Sequence, residues 1–534
     1  MLYDEELVEV SPPWSGIVLT LLARGTEILQ DRSLVFDKEW KPKIQTRPIL
    51  GTSYVAEIYI DTGSRSARST SGVEEGFILK TSILLRYWNG EVLEERILYP
   101  YSRGSPPFLL VRGDDRKRQA SLYVAELAMI LSMLQETPPL EAEVKGRRLI
   151  VRHGSLLQIL GTYFNPIFDL ERESAEAVLL YTGLDPRTTI ELIRSATVKR
   201  GATEKVNPGL LAAEILGQIK KEAWKRNHTV IGLTEDVSRG RHLLAKVLAE
   251  SIKASVVTIG VANSQRRQFN PGILMEEAVK SVRHCLEDLG ISSLPHFMGD
   301  AHTYLRQVID RSIEYREDTD FEDIITDLEI EDLLERIYER QILNHFNLAS
   351  DSHFILLYNY LYGGTGKGEL EASSTVELDK SWLYSRRFLK SYNNRLKDAE
   401  PSITINELLD NTSGVKLRYL LTQAIPDCNE IRENAERLGI DRRLLAELIR
   451  VIPPIRVEYF SETTDISEVL DHIISQAMVT SYGVPPQLLV VDSRSRINEW
   501  EYGALAGLLE SLSRRATPYS TFIRDFSVRR YHLL

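Results

Sequence analysis

Cysteine is scarce in this chain: two residues, Cys285 and Cys428, in 534. That excludes a disulfide scaffold and a cysteine-rich zinc site, and the simplest setting is a reducing one. Long hydrophobic runs are missing too. Segments such as Ile17–Ala23 and Leu127–Leu134 are far short of the roughly 20 apolar residues that span a bilayer. The opening MLYDEELVEVSPPW has no basic region followed by an apolar stretch, so it does not read as a signal peptide. A cytoplasmic protein without a membrane partner is expected. Positive charge is in deficit, with 65 Lys and Arg against 76 Asp and Glu and a net charge of −11. A blanket basic surface for nucleic acid is thereby excluded, but a local basic groove is not.

Familiar catalytic signatures are lacking as well. There is no HExxH, GxSxG or dinucleotide fingerprint. The GGTGKG at 363–368 imitates a phosphate loop, but Leu361 stands where its first glycine belongs and Gly368 where its hydroxyl residue belongs. That hydroxyl would bind Mg²⁺, so a hairpin is the better reading.

What is present is an ordinary soluble balance, 43% hydrophobic and 26% charged, which argues against wholesale disorder. At roughly 150 residues per domain the length suggests three or four units, or one large core with insertions. After Pro12-Pro13, Ser15–Gln30 can form an apolar-faced helix. YVAEIYID at 54–61 reads as a strand and TGSRSARSTSG as a loop. Phe77–Tyr87 and Val92–Leu98 read as a hairpin about Asn89-Gly90, both of which tolerate positive φ. Leu122, Ala125, Met129 and Met133 recur at helical spacing within Arg116–Gln135, and prolines follow. Arg148–Arg152, His228–Leu233 and Val256–Val261 read as strands, Leu210–Lys225 and Arg239–Ile252 as helices. A dense acidic run, Tyr315 to Glu335, reads as a helix with a solvated face or as an acidic partner surface. Phe354–Tyr358 is strand-like and Arg442–Ile449 helical. Ile455–Phe460 reads as a strand, Ile466–Thr480 as a helix, Gln487–Asp492 as a strand ending on a carboxylate, and Trp500–Ser513 as a helix. The class is α/β or α+β with a mixed sheet.

Four residues stand out. Asp61 ends an apolar strand, where rigid backbone can hold a carboxylate at a cleft, although many Asp residues merely start turns. Glu126 is a lone carboxylate in an apolar helix. It projects either into a site or to solvent. His153 follows a strand, though a lone His is more often a packing residue. Asp492 repeats the form of Asp61: an apolar run, Asp, then Ser and Arg. Together they suggest acidic residues converging at one end of a sheet. Oxygen and imidazole ligands suit Mn²⁺, Mg²⁺ or Zn²⁺, and such ions can hold a scissile phosphate and activate water. Arg65, Arg68, Arg494 and Arg496 could contact phosphates or could pair with local acids at the surface.

In order along the chain, IYIDTGSRSARS, the helix holding Glu126, LIVRHGSLLQ, VIGLTEDVSR, IRVEYF and YGVPPQLLVVDSRSRI resemble segments of the NurA nuclease family. These are archaeal and bacterial proteins that act with the HerA hexameric ATPase in resecting broken DNA ends. The matches lie in roughly 51–260 and 450–510. The resemblance implies an α/β, RNase H-like mixed sheet, like the nuclease domain of Argonaute proteins, flanked by helices and carrying a mainly helical insertion. It implies an N-terminal arm over 1–50 whose helix could dock the ATPase, a first part of the core over 51–260, an insertion or divergent middle over 261–450, and the rest of the core over 451–534. It also implies a homodimer, Mn²⁺ (with Mg²⁺ as the substitute) as cofactor, and cleavage of single- and double-stranded DNA. The family's ligands run Asp, Glu, Asp, His. Carried over, they fall on Asp61, Glu126 (Glu136 as fallback), His153 and Asp492. The last two types are exchanged here, and Glu235 stands where the family has a basic residue. The leading expectation is thus a metal-dependent DNA nuclease with a HerA-like ATPase partner. Beside it stand a catalytically weakened relative that binds DNA or the ATPase, and a structural α/β protein with no nucleic-acid role.

Overall fold

The computed structural model describes residues 35–44, 54–68, 75–89, 92–100, 108–135, 146–157, 159–200, 202–235, 240–247, 351–352, 355, 370–378, 382–396, 401, 403–422, 454–462, 464–479, 483–503 and 505. The helix expected over 15–30, the strand over 256–261, the acidic run 315–335, the glycine-rich turn 363–368, the helix over 442–449 and Glu136 lie outside them. So do most of the strand expected over 354–358, of which Ile355 is helical.

The strands are β1 (Ala56–Arg68), β2 (Glu75–Asn89), β3 (Val92–Leu98), β4 (Phe108–Arg112), β5 (Arg148–His153), β6 (Thr197–Arg200), β7 (Thr203–Val206), β8 (Thr229–Thr234), β9 (Glu371–Ala372), β10 (Val376–Glu377), β11 (Val415–Leu421) and β12 (Ile455–Phe460). The α-helices are α1 (Asp115–Leu134), α2 (Arg172–Tyr181), α3 (Pro186–Ser195), α4 (Pro208–Arg226), α5 (Trp382–Leu396), α6 (Ile405–Thr412), α7 (Ile466–Ala477) and α8 (Pro486–Ser495). Ten strands form one mixed sheet in the order β10-β11-β12-β8-β5-β1-β2-β3, with β4 also on β2 and β9 on β11. Its centre, β1-β5-β8, is parallel, and both flanks are antiparallel. This is the α/β mixed sheet flanked by helices that the sequence leads one to expect. Residues 371–421, in the middle region, supply β9, β10 and β11 to the same sheet. No helix among the described residues is long and apolar enough to cross a membrane.

Two apolar layers cover the sheet. Alternation along β1 sends Ala56, Ile58 and Ile60 into a core with α1–α6, and Tyr59 into a second core with α7 and α8. Nearly every residue of α1 from Ala120 to Leu134 is buried, so the helix is enclosed on all sides, with Glu126 its one buried charge. Asp114 caps it by accepting from the Arg116 and Lys117 amides. Pro208 opens α4 behind the Asn207 cap, and Asn227 closes it with φ +54°.

Two expectations are corrected. Residues 62–68 are not a loop but the second half of β1. The long apolar β2 pairs with β1 along its whole length, from Ala56↔Tyr87 to Arg68↔Glu75, and pairing overrides the loop-like composition. Gln487–Asp492 is not a strand but lies in α8. Pro486 suits a first helical turn, and Leu488, Val491 and Ser495 are buried at helical spacing, while Leu489 and Val490 face outward. A run of four apolar residues does not by itself distinguish the two.

A buried polar cluster joins β1, β2 and α7. The Glu57 carboxylate lies 2.8 Å from His472 Nε2. It accepts from Arg86 Nη1 at 3.0 Å, Gln476 Nε2 at 3.0 Å and Tyr59 Oη at 3.1 Å. Burial alone would push this carboxyl up, but His472, Arg86 and Gln476 outweigh it and hold it at about 2, against an ordinary 4.5. A folded value below the unfolded one gives stabilisation that is complete above pH 4.5 and is lost as pH falls toward 2. Glu57→Gln is expected to cost about 3 kcal/mol in urea unfolding at pH 7, and the gap to wild type should narrow between pH 4.5 and 2. A gap that stays constant with pH would show that the ionised carboxylate is not what stabilises.

Candidate metal centre

β1 and β5 run parallel with Ile60 opposite Arg152, so Asp61 and His153 leave the sheet side by side. Both share the parity of Tyr59 and Val151, and therefore the face that carries α7 and α8. Packing of α8 across β1 brings in Asp492. One ligand atom each from Asp61, His153 and Asp492 lies within 4.8 Å of the others, with Asp61 buried and the other two half-buried. Two carboxylates and an imidazole form a donor set that fits a hard or borderline divalent cation.

The hydrogen bonds fix these groups. Asp61 Oδ1 is 3.2 Å from His153 Nδ1, and Asp61 Oδ2 accepts from the Ser495 hydroxyl. Burial opposes ionisation of Asp61, but His153 and Ser495, with Arg152 nearby, hold its carboxyl below the usual range. His153 Nε2 is 3.4 Å from Glu235. Against the effect of burial, its two carboxylate neighbours raise the imidazole to about 10. His153 is thus held between two carboxylates, which favour its protonated form. A cation at Nδ1 or Nε2 must displace a proton.

Glu126 is not brought into this group. It rises from α1 on the opposite face, where Oε1 accepts from the Thr62 amide at 3.1 Å and Oε2 pairs with Arg152. Burial pushes its carboxyl up to about 7, against the pull of Arg152 and with Asp61 adding to the rise. The Arg152 guanidinium also donates to the Ser155 carbonyl and lies 4.9 Å from the Tyr123 ring centroid. Further along β12, Glu458 accepts from Ser155 Oγ at 2.7 Å and the Leu157 amide at 2.9 Å, fixing the turn after His153.

The candidate phosphate-binding arginines divide. Arg65 pairs with Glu499 at 2.9 Å and stacks 3.9 Å from the Tyr502 ring centroid. Arg496 pairs with Asp492 one helical turn away. Arg494 is exposed on α8. Arg68 ends β1, and its side chain lies outside the described set. Sequence reasoning passes over Ser495 and Arg152. Helical spacing would have found Ser495 three residues after Asp492, but only with α8 read as a helix.

No protein-family model matches the chain, and no curated protein does. Solved structures do match. The NurA nuclease from Sulfolobus solfataricus aligns over 93% of this chain and 94% of its own, at 10% identity and TM-score 0.39. NurA with manganese aligns over 94% and 97%, at 11% and 0.28. NurA bound to dAMP and manganese aligns over 90% and 92%, at 13% and 0.29.

The close seat of α8 on β1 depends on Gly63. A Cβ there would lie 2.1 Å from the Ser495 carbonyl oxygen and 2.7 Å from its carbon. Gly63→Ala is expected to lift α8, with Asp492 and Ser495, and to cost about 1–3 kcal/mol in thermal or urea unfolding. Gly503→Ala, with nothing within 4 Å of its Cβ, should stay within about 0.5 kcal/mol of wild type. Equal effects of the two would show that the helix does not depend on this contact.

Proposed function

We propose that this protein is a metal-dependent nuclease that hydrolyses DNA phosphodiester bonds. The observation that carries the reading is the convergence of Asp61, His153 and Asp492 at the end of the parallel strands, half-open to solvent. These three would hold a divalent cation, Mn²⁺ first and Mg²⁺ second. When bound, the cation supplies Lewis-acid polarisation of a phosphate and activation of water. The chain's own groups do the positioning. Ser495 and His153 orient the Asp61 carboxylate. Glu126 holds the backbone at Thr62, and Glu458 holds the turn after His153. Among the candidate arginines with described side chains, Arg65 and Arg496 pair with acids, and exposed Arg494 on α8 is the best placed to meet a phosphate.

The resemblance of IYIDTGSRSARS and the segments that follow it supports a NurA-like setting: an RNase H-like core, a homodimer, a HerA-like ATPase that delivers DNA ends, and work in the cytoplasm. A second reading is favoured by one observation, the Arg152 guanidinium that occupies Glu126. In that reading the chain is a weakened relative that binds DNA or the ATPase without cutting.

The deciding experiment incubates end-labelled single- and double-stranded DNA with the purified chain in Mn²⁺, Mg²⁺ or EDTA, alone and with a HerA-like ATPase. Cleavage should require the metal. It should fall at least about 100-fold in Asp61→Asn, because even outer partners of metal ligands are commonly worth about 10–100-fold. Salt-sensitive DNA binding without cleavage in either protein would favour the second reading, since phosphate contacts release counterions. Absence of both would remove nucleic acid from the picture.

A further inference from the structure

Resting on the metal-centre reading just given, we infer that the centre takes a single divalent ion. The Arg152 guanidinium provides, beside Glu126, the positive charge that a second ion would otherwise bring. Glu126 is then a positioning residue, not a ligand.

Three observations converge. First, Glu126 contributes no atom to the ligand group of Asp61, His153 and Asp492. Second, both of its oxygens are already engaged, one by the Thr62 amide and one by Arg152. Thr62 directly follows Asp61, and Arg152 directly precedes His153. One carboxylate therefore ties together the two strands at the residues adjoining the proposed ligands. Third, Arg152 is built in. It is buried, donates to the Ser155 carbonyl, packs on Tyr123, and sits beneath the Gly154 turn, where a Cβ would lie 3.0 Å from Nη1. The positive φ of Gly154, +131°, gives the chain room to turn over the guanidinium.

The charge balance follows. Arg152 neutralises Glu126 on the α1 side. On the α8 side, Asp61, Asp492 and Glu235 against Arg496 leave two negative charges, which with a neutral His153 imidazole match one dication. A guanidinium cannot lose its proton under ordinary conditions, so this internal cation is permanent, whereas a bound ion is exchangeable. Bringing a second ion to Glu126 would require Arg152 to leave its buried seat, and the unpaired buried charge would be costly.

The test counts ions directly. Mn²⁺ binding to the full chain is titrated by the electron paramagnetic resonance signal of free Mn²⁺, with folding checked by circular dichroism. Wild type should bind one Mn²⁺ per chain. Asp61→Asn and Asp492→Asn should weaken that ion at least about tenfold. The double variant Glu126→Gln/Arg152→Gln removes both charges at once, and should keep the ion with little change in affinity. Folded Arg152→Gln, with Glu126 left unpaired, should take up a second ion. Two ions in wild type would overturn the inference. So would loss of the ion in the double variant to the extent seen in Asp61→Asn, or a folded Arg152→Gln that still binds only one. No ion in wild type would overturn the metal-centre reading itself, which separates the two failures. If Arg152→Gln does not fold, the wild-type count and the double variant still decide.

Discussion

Everything in the centre of this molecule depends on the pairing of β1. It runs parallel to β5 on one side and antiparallel to β2 on the other. That pairing fixes a strict alternation of side chains. Ile58 and Ile60 enter the larger core, while Glu57, Tyr59 and Asp61 face α7 and α8. A slip of one residue would put Ile60 where Asp61 stands and carry the carboxylate into an apolar layer. The same register sets Asp61 beside His153, and the close approach of α8 at Gly63 adds Asp492.

The sheet also keeps two groups of buried charge on opposite faces. Toward α1 lie Arg152, Glu126 and Glu458, each with partners. Toward α7 lie Glu57, Arg86 and His472. Buried charges are tolerated only when paired and hydrogen-bonded, so each group constrains the elements that supply it. Glu57 joins the sheet to α7, and Glu126 joins α1 to the ends of β1 and β5. The Asp61, His153 and Asp492 cluster between them rests on backbone fixed from both sides, with His153 and Asp492 half-buried.

Much of this was legible in the sequence because it is local. Val92–Leu98 and Ile455–Phe460 show their strands in their own residues, and the long helix around Leu122–Met133 shows its period. Asp61 and His153 are visible as polar residues closing apolar runs. Asp492 was visible as a carboxylate, though not as a helical one, because LLVV fits either conformation until α8 packs on β1. The second half of β1 was illegible for a related reason. Its Gly, Ser and Arg residues carry loop composition, and only the length of β2 opposite them makes a strand.

The amino-acid sequence alone settles the class of fold, since periods of about two and about 3.6 residues are written in the order of apolar side chains. It also determined the chemical types available at the centre: two carboxylates, an imidazole, and a third carboxylate on α1. Which of these meet is set by packing. Glu126 and Arg152 are 26 positions apart, and nothing local in either segment marks one as the partner of the other. Crossing of α1 beneath the ends of β1 and β5 pairs them. Packing of α8 against the opposite face, 434 positions after Asp61, places Ser495 on that carboxylate. Distance along the chain carries no such information, because contact between remote segments is set by how whole layers bury their apolar faces.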